Sequence, residues 1–333
     1  MASHKKRDTM RLASPTMSKH LHEIFEFKKI SQNDKKWVKK RLAESDFNNC
    51  EYCFGNLFMW SGAYHYQIAD YKGFLIVQAL IKNRIMYFFP AGSGNLSQVI
   101  GELAVHCASN GHSLIFRNIT SSNVDILEEL FPDSFCYTEN RNASDYIYLR
   151  EKLVTLAGKK YHSKRNHIAR FKDNHNWAYE PITGKNIDEC YEMSMSWHEK
   201  HREPENNASS KNELNAIQLA FKYFRELELD GGLIRLNGSI VALTMGERLN
   251  SDTYVIHIEK AFHDIQGAYP MINQQFAEHL PPDIKYVNRE EDLGEEGLRR
   301  SKLSYYPEIL LAKFDAAAKQ GAAPLQGAYD YTS

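Results

Sequence analysis

Hydrophobic and polar positions change period repeatedly along this chain, and each change marks a short element. Residues 27–43 carry their apolar positions at helical spacing and predict an amphipathic helix. Asn56-Leu-Phe-Met-Trp60 is an aromatic cluster that reads as core. Residues 64–69 alternate as a strand does. Residues 73–79 predict a second strand and 84–89 a third, joined by a turn at Lys82-Asn83. After a stop over 90–95, a helix is predicted over 96–109, with Val99, Leu103 and Cys107 in register. A buried strand over 113–117, a helix near 123–130 and a strand over 145–149 complete the first half.

The second half begins near Trp177. Residues 186–200 read as helix and 201–210 as a polar loop. Leu214, Ile217, Phe221, Phe224 and Leu227 recur at helical spacing until Gly231-Gly232 stops them. Strands over 233–236 and 240–245 flank Asn237-Gly238, a strong hairpin signal because both residues tolerate positive φ. A strand over 253–259, a loop ending at Gly267, a helix over 268–279, a short strand over 286–288 and a last strand over 309–314 follow. Residues 73–117 and 232–288 thus share one order: hairpin, strand, glycine-containing loop, helix, strand. The chain reads as one α+β unit used twice.

Length supports this, since 333 residues exceed what one typical core uses. The chain is nearly neutral, with 41 basic and 42 acidic residues, which argues against a DNA-coating protein and confines any nucleic-acid contact to a local patch. No run of apolar residues reaches the ~18 needed to span a bilayer. Residues 1–19 are basic and polar, unlike a secretory signal, and read as a disordered lead-in. The small, polar residues after Phe314 read as a fraying tail. Five scattered cysteines suit free thiols in a reducing cytoplasm. Cys50-Glu-Tyr-Cys53 is a lone CxxC with no second ligand pair in sequence, so both are taken as ordinary, partly buried thiols and no metal site is assigned.

Charge is concentrated over 158–172, which holds Lys159, Lys160, Lys164, Arg165, Arg170 and Lys172 and no acid. At 100° per residue Tyr161, Ile168 and Phe171 share a face, and Lys160 and Lys164 fall at its edge. A solvated linker helix explains the run; so does a helix that brings positive charge to a cleft between two domains. The stretch from Asn288 to Pro307 is the second candidate. Arg299 and Lys302 share a helical face there, as a pair holding a phosphate or a developing oxyanion would. Acids first and bases after also suit the helix macrodipole. Gly267 sets backbone N–H groups at a helix start, a place that attracts phosphate. Strand alternation puts His257 and Glu259 on one face, opposite Tyr254, Ile256 and Ile258, as a general base and its partner or as a structural polar pair.

Three stretches together are familiar: Tyr148 to Gly158 with Lys159, Lys160, Lys164, Arg165, Asn166, Ile168 and Phe171; Glu291-Asp-Leu-Gly294 with Gly297, Arg299, Lys302 and Ser304 to Pro307; and Asn56 to Trp60. The chain resembles the phosphatidylglycerol lysyltransferase C-terminal domain family over roughly residues 20 to 315. The resemblance implies an α+β fold of two tandem GNAT-like (acyl-CoA N-acyltransferase) domains, each a mixed sheet flanked by helices, related to the Fem peptidyltransferases. The expected boundaries are a lead-in over 1–19, domains over 20–157 and 176–316, a basic connecting helix over 158–175 and a flexible tail over 317–333. The implied activity is a cytoplasmic acyl or aminoacyl transfer to an amine or hydroxyl. The donor would be aminoacyl-tRNA or acyl-CoA, with no tightly bound cofactor. In this reading Lys302 and Arg299 stabilise the developing charge, Glu259 or His257 takes the amine proton and Tyr305 protonates the leaving group. Lys160, Lys164, Arg165 and Gly267 bind donor phosphates. The acetyl-CoA pyrophosphate pattern is not met around Gly267, where Asp264 and Tyr269 hold the outer positions. The lysyltransferases carry a membrane domain ahead of this part and this chain has none, which tells against a lipid acceptor. The alternative is a non-catalytic protein whose basic interdomain cleft binds RNA or an anionic metabolite.

Overall fold

The computed structural model describes residues 24–200 and 208–319. The first part of the chain forms β1 (Lys28–Lys29), α1 (Lys35–Ser45), α2 (Phe54–Tyr64), β2 (Gln67–Tyr71), β3 (Phe74–Ile81), β4 (Arg84–Tyr87), β5 (Ala91–Gly92), α3 (Leu96–Ser109), β6 (Ile115–Thr120), α4 (Ser121–Leu130), β7 (Phe135–Glu139) and β8 (Asp145–Leu149). The second forms α5 (Arg150–Thr155), α6 (His162–Asn174), β9 (Trp177–Pro181), α7 (Ile187–Lys200), α8 (Ala208–Lys222), β10 (Asp230–Leu236), β11 (Ser239–Arg248), β12 (Thr253–Ala261) and α9 (Ala268–His279). It ends with β13 (Tyr286–Asn288), α10 (Glu296–Leu303), β14 (Ile309–Leu311) and β15 (Lys313–Ala318).

Local chemistry explains the boundaries. Asn237 and Gly238 take φ of 47° and 89°, the left-handed pair that a two-residue hairpin loop needs. The Asn95 side chain accepts the Gln98 N–H at 3.0 Å and caps α3. Thr120 and Asn123 form a capping box at the start of α4. The lead-in over 1–19 and the loop over 201–207 lie outside the described residues. The helix expected from residue 27 starts at Lys35, because Lys28–Lys29 pairs with β2 as a strand.

The strands build two mixed sheets. One is eight-stranded, ordered β1-β2-β3-β4-β6-β15-β7 with β5 beside β3; the other is seven-stranded, ordered β14-β8-β13-β12-β11-β10-β9. Each half therefore lends a strand to the other. β8, expected to close the first half, lies in the second sheet between β14 and β13. The expected last strand is two strands in different sheets, and residues 315–318, expected to fray, continue β15 between β6 and β7. The division of the sheets does not follow the division of the sequence near residue 158.

Three apolar layers result. Phe54, Leu57 and Val77 of the first half meet Ile217, Leu233, Leu243 and Met245 of the second in one shared core. The other face of the first sheet packs on α3 and α4 through Phe116, Val99 and Leu127. The other face of the second packs on α6 and α9 through Tyr254, Ile168, Phe171, Met271 and Phe276. Burying each such side chain contributes roughly 1.5–3 kcal/mol, so separating the halves at the shared core would cost more than a typical net folding stability. β11 lies between two of these layers, which is why Ile240 to Glu247 are all buried.

A buried ion cluster ties the exchanged strands. Lys313 on β15 reaches Asp145 on β8 at 2.7 Å and Glu51 at 2.8 Å. Asp145 also accepts from the Cys50 N–H at 2.7 Å and Asn288 Nδ2 at 2.9 Å, and Glu51 accepts from Asn118 Nδ2 at 2.7 Å. Every carboxylate there has a donor, which is the condition for burying charge.

Candidate active site at the fork of two parallel strands

β12 and β13 run parallel but pair only from Thr253/Tyr286 to Val255/Asn288. Beyond that point the strands part, and residues 256–261 of β12 face the segment 289–292. Divergent strand ends of this kind leave backbone and side chains open to a ligand. The fork is the candidate site, and its chemistry divides between its two faces.

A β-bulge makes the division. Met245 pairs with Ile258, but the next residue, Gly246, pairs with Ile256, so His257 is the extra residue. Gly246 permits this, since a Cβ there would lie 1.9 Å from the Val255 carbonyl oxygen. Alternation slips at the bulge. Ile256 belongs to the core under α9 and Ile258 to the core between the halves. His257 and Glu259, expected on one face, take opposite ones.

On the face toward the first half, His257 Nδ1 lies 2.8 Å from Glu290, and Nε2 lies 3.1 Å from Glu247 and 3.8 Å from Cys53 Sγ. Burial disfavours charge on this imidazole, yet Cys53, Glu247 and Glu290 outweigh it and hold the ring protonated well above its usual range. Its partner is not Glu259.

On the other face Glu259 accepts from Arg289 Nη2 at 2.7 Å and from Asn273 Nδ2 on α9 at 3.3 Å. The Arg289 guanidinium lies 5.7 Å from the Tyr148 ring and 5.0 Å from the Tyr305 ring. Lys164 of α6 sets its ammonium 4.1 Å from the centre of the same Tyr305 ring. Burial, and then Arg289, lower the pKa of Lys164. Arg289 Nη1 and Asn273 Oδ1 are buried and have no hydrogen-bond partner among the described residues. Arg289 and Asn273, each with one unpaired buried atom, thus flank the Glu259 carboxylate, and Lys164 and Arg289 both approach the Tyr305 ring.

The remaining expected residues fall as follows. Lys302 is buried, and its three ammonium donors meet the carbonyls of Arg289 at 2.5 Å, Glu290 at 3.1 Å and Glu291 at 2.5 Å. It braces the segment that carries Arg289 and Glu290 and keeps no donor for a developing oxyanion. Arg299 shares its face and the same loop, holding Asp292 with two bonds of 2.8 Å and Asn142 with a third. Arg165 donates to the carbonyls of Leu156 and Gly158, closing the end of α5. Gly267 has φ of 90°, and a Cβ there would lie 2.6 Å from the His167 carbonyl oxygen, so α6 covers the turn expected to hold phosphate. Lys160 is exposed, 4.8 Å from the Tyr306 ring. Tyr305 is buried, and its ring is approached by both Lys164 and Arg289. Sequence reasoning missed Arg289, Asn273, Glu247 and Glu290. Arg289 and Glu290 lay inside the stretch singled out, but nothing in it distinguished them from their neighbours. Both cysteines of the CxxC are buried, Cys50 on the Lys313 cluster and Cys53 on His257.

Two mixed sheets flanked by helices, with a forked parallel strand pair at the site, define a tandem GNAT-like protein. The chain belongs to the phosphatidylglycerol lysyltransferase C-terminal family, a transferase family whose pattern matches residues 42–317. It is similar to a Bacteroides thetaiotaomicron protein of unknown function, with 38% identity and a TM-score of 0.85 over 89% of this chain and 100% of that one. The C-terminal domain of a putative lysylphosphatidylglycerol synthetase from Agrobacterium fabrum has the same fold, with a TM-score of 0.63 at 13% identity over 89% and 94% of the two chains. FemX follows at 0.54 and 8% identity, over 87% and 96%. An uncharacterized protein of Mycoplasmoides gallisepticum is 21% identical over 53% of this chain and 56% of its own length, so the chain spans little more than half of that relative. Among the described residues no helix is long and apolar enough to cross a membrane.

Proposed function

We propose that the protein transfers an aminoacyl group from a tRNA ester to an amine, with the donor held at the Arg289 face of the fork. The observation that carries this reading is that Arg289 and Asn273, both bonded to Glu259, each keep a buried, unpaired atom, Nη1 and Oδ1. An aminoacyl ester offers a carbonyl oxygen to the first and an ammonium to the second and to Glu259. An acetyl group offers only the carbonyl and would leave the Asn273 oxygen unpaired, at a cost of roughly 1–3 kcal/mol. Lys164 and, nearer solvent, Lys160 meet the donor's terminal phosphate.

The step is an acyl transfer. The acceptor nitrogen forms a bond to the ester carbon, the ester carbon–oxygen bond breaks, and the proton released from nitrogen ends on the departing ribose oxygen. Arg289 stabilises the oxyanion between these events; one such donor is worth roughly 3 kcal/mol. Glu259, held by Arg289 and Asn273, is the group placed to accept the amine proton.

The test is incubation of the full chain with aminoacyl-tRNA pools and with acyl-CoA pools, each carrying a labelled acyl group, against an amine library. Label should move from aminoacyl-tRNA and be lost in Arg289→Ala. Transfer from acyl-CoA instead would reassign the donor. No transfer from either, with salt-sensitive binding of RNA retained, would make this a binding protein.

A further inference from the structure

The geometry points to a second site on the opposite face of the fork: Cys53, His257 and Glu247 form a binding site for a divalent transition-metal ion of the zinc class, with Glu290 as the orienting partner of His257. This is independent of the transfer reading, since no donor contact belongs to it. The sulfur of Cys53, Nε2 of His257 and a carboxylate oxygen of Glu247 lie within 4.8 Å of one another. Zinc bonds of about 2.3 Å to sulfur and about 2.0–2.1 Å to nitrogen and oxygen, set tetrahedrally, give ligand separations of about 3.6 Å for sulfur to nitrogen and about 3.4 Å for nitrogen to oxygen. The separations here are 3.8 and 3.1 Å. These two separations match an ion held between the atoms to a few tenths of an ångström, and the sulfur-to-oxygen separation lies within 4.8 Å.

The surrounding groups match this use. A metal-bound histidine ordinarily gives its other ring N–H to a carboxylate, and His257 Nδ1 lies 2.8 Å from Glu290. Gly55 makes room for the third ligand, because a Cβ there would lie 2.2 Å from Glu247 Oε1. The ion replaces two protons, one from the thiol and one from Nε2, leaving thiolate, neutral imidazole and carboxylate as ligands. The rival reading, a nucleophilic thiol activated by a Glu290–His257 pair, fits less well. Burial and then Glu247 push the Cys53 thiol up to about 12, so the carboxylate beside it opposes a free thiolate. The neighbouring group of Cys50, Glu51 and Asp145 is also close-set, but the Lys313 ammonium already lies among those atoms. The role is mechanical: Cys53 opens α2 in the first half, while Glu247 and His257 sit on β11 and β12, so the ion would staple the halves at the fork.

The test uses the full-length chain. After equilibration with zinc and exhaustive dialysis, elemental analysis should find one zinc per chain in the wild type and in Cys50→Ala, and none in Cys53→Ala. Cobalt should give a thiolate-to-cobalt charge-transfer band with tetrahedral ligand-field bands in the wild type, and chelation should lower its thermal midpoint. The cobalt spectrum needs no variant, so it decides the matter even where Cys53→Ala fails to fold. A wild type that retains no zinc and shows no thiolate band overturns the proposal. So does a band abolished by Cys136→Ser, which would trace it to Cys136, an exposed free thiol on β7.

Discussion

The ammonium of Lys313 lies 2.7 Å from the carboxylate of Asp145, with both side chains fully buried, and this contact joins the two strands that the halves exchange. Burial disfavours the lysine charge; Asp145, Cys50 and Glu51 outweigh it and raise its pKa well above the usual range. Removing one partner of such a pair leaves an uncompensated buried charge, at roughly 3–5 kcal/mol. Lys313→Ala is therefore expected to lower stability by that amount and to loosen both halves in one transition, read by denaturant unfolding. Because the folded-state pKa is raised, the stabilisation is complete below about pH 10.4 and is lost as pH rises through the native value. Unchanged stability in the variant would show that the halves are not held together at this point.

Lys302 separates two roles. If it braces the segment 289–291, Lys302→Met takes a donor from three carbonyls, of which that of Glu290 keeps the Tyr146 N–H, and lowers both stability, by roughly 1–3 kcal/mol, and transfer, by displacing Arg289. If it stabilised the transition state directly, transfer would fall at unchanged stability. Thermal denaturation beside single-turnover kinetics distinguishes the two.

Acid should weaken the loop before α10. Burial alone would raise the Asp292 pKa, but Arg299, Tyr146 and the Gly294 N–H hold it well below the usual carboxylate range. A depressed pKa means that the unfolded chain binds more protons, so this share of stability is present above about pH 3.9 and is lost as pH falls below it. Asp292→Asn should be less stable at neutral pH and should flatten the acid limb of the stability profile. An acid limb identical to that of the wild type would exclude Asp292 as its source.

Much of the fold was legible where periodicity alone decides. The helices over 96–109 and 268–279, the strands over 145–149 and 286–288, and the Asn237-Gly238 hairpin lie where the pattern puts them. Sheet membership was not legible, because nothing in the run 145–149 says which sheet its edges will meet. The site was half legible. His257, Glu259, Lys164 and Tyr305 all reach the fork, but their pairing depends on one extra residue in β12. Gly246 was its only mark in the sequence, and a glycine inside a strand signals a bulge without fixing which residue is extra. Arg299, Lys302 and Arg165 looked like ligand-binding cations because sequence shows charge but not the carbonyls and carboxylates that satisfy it.

Gly267→Ala tests whether α6 belongs to the site. The glycine has φ of 90°, and an added Cβ would lie 2.6 Å from the His167 carbonyl oxygen and 3.1 Å from Phe171 Cβ. Either α6 moves off the turn or the turn opens; strain of this kind costs roughly 1–3 kcal/mol. In both cases Lys164, three residues before His167, leaves its place over Tyr305 and beside Arg289. The expected result is weaker donor binding, seen as a KM for aminoacyl-tRNA raised at least tenfold, with a smaller change in kcat because Glu259 stays on β12 and Arg289 just past the end of β13. Lys164→Ala should reproduce the KM effect without the loss of stability. If the glycine variant loses stability but keeps its KM, α6 is a brace for the fold and the anionic end of the donor is held elsewhere.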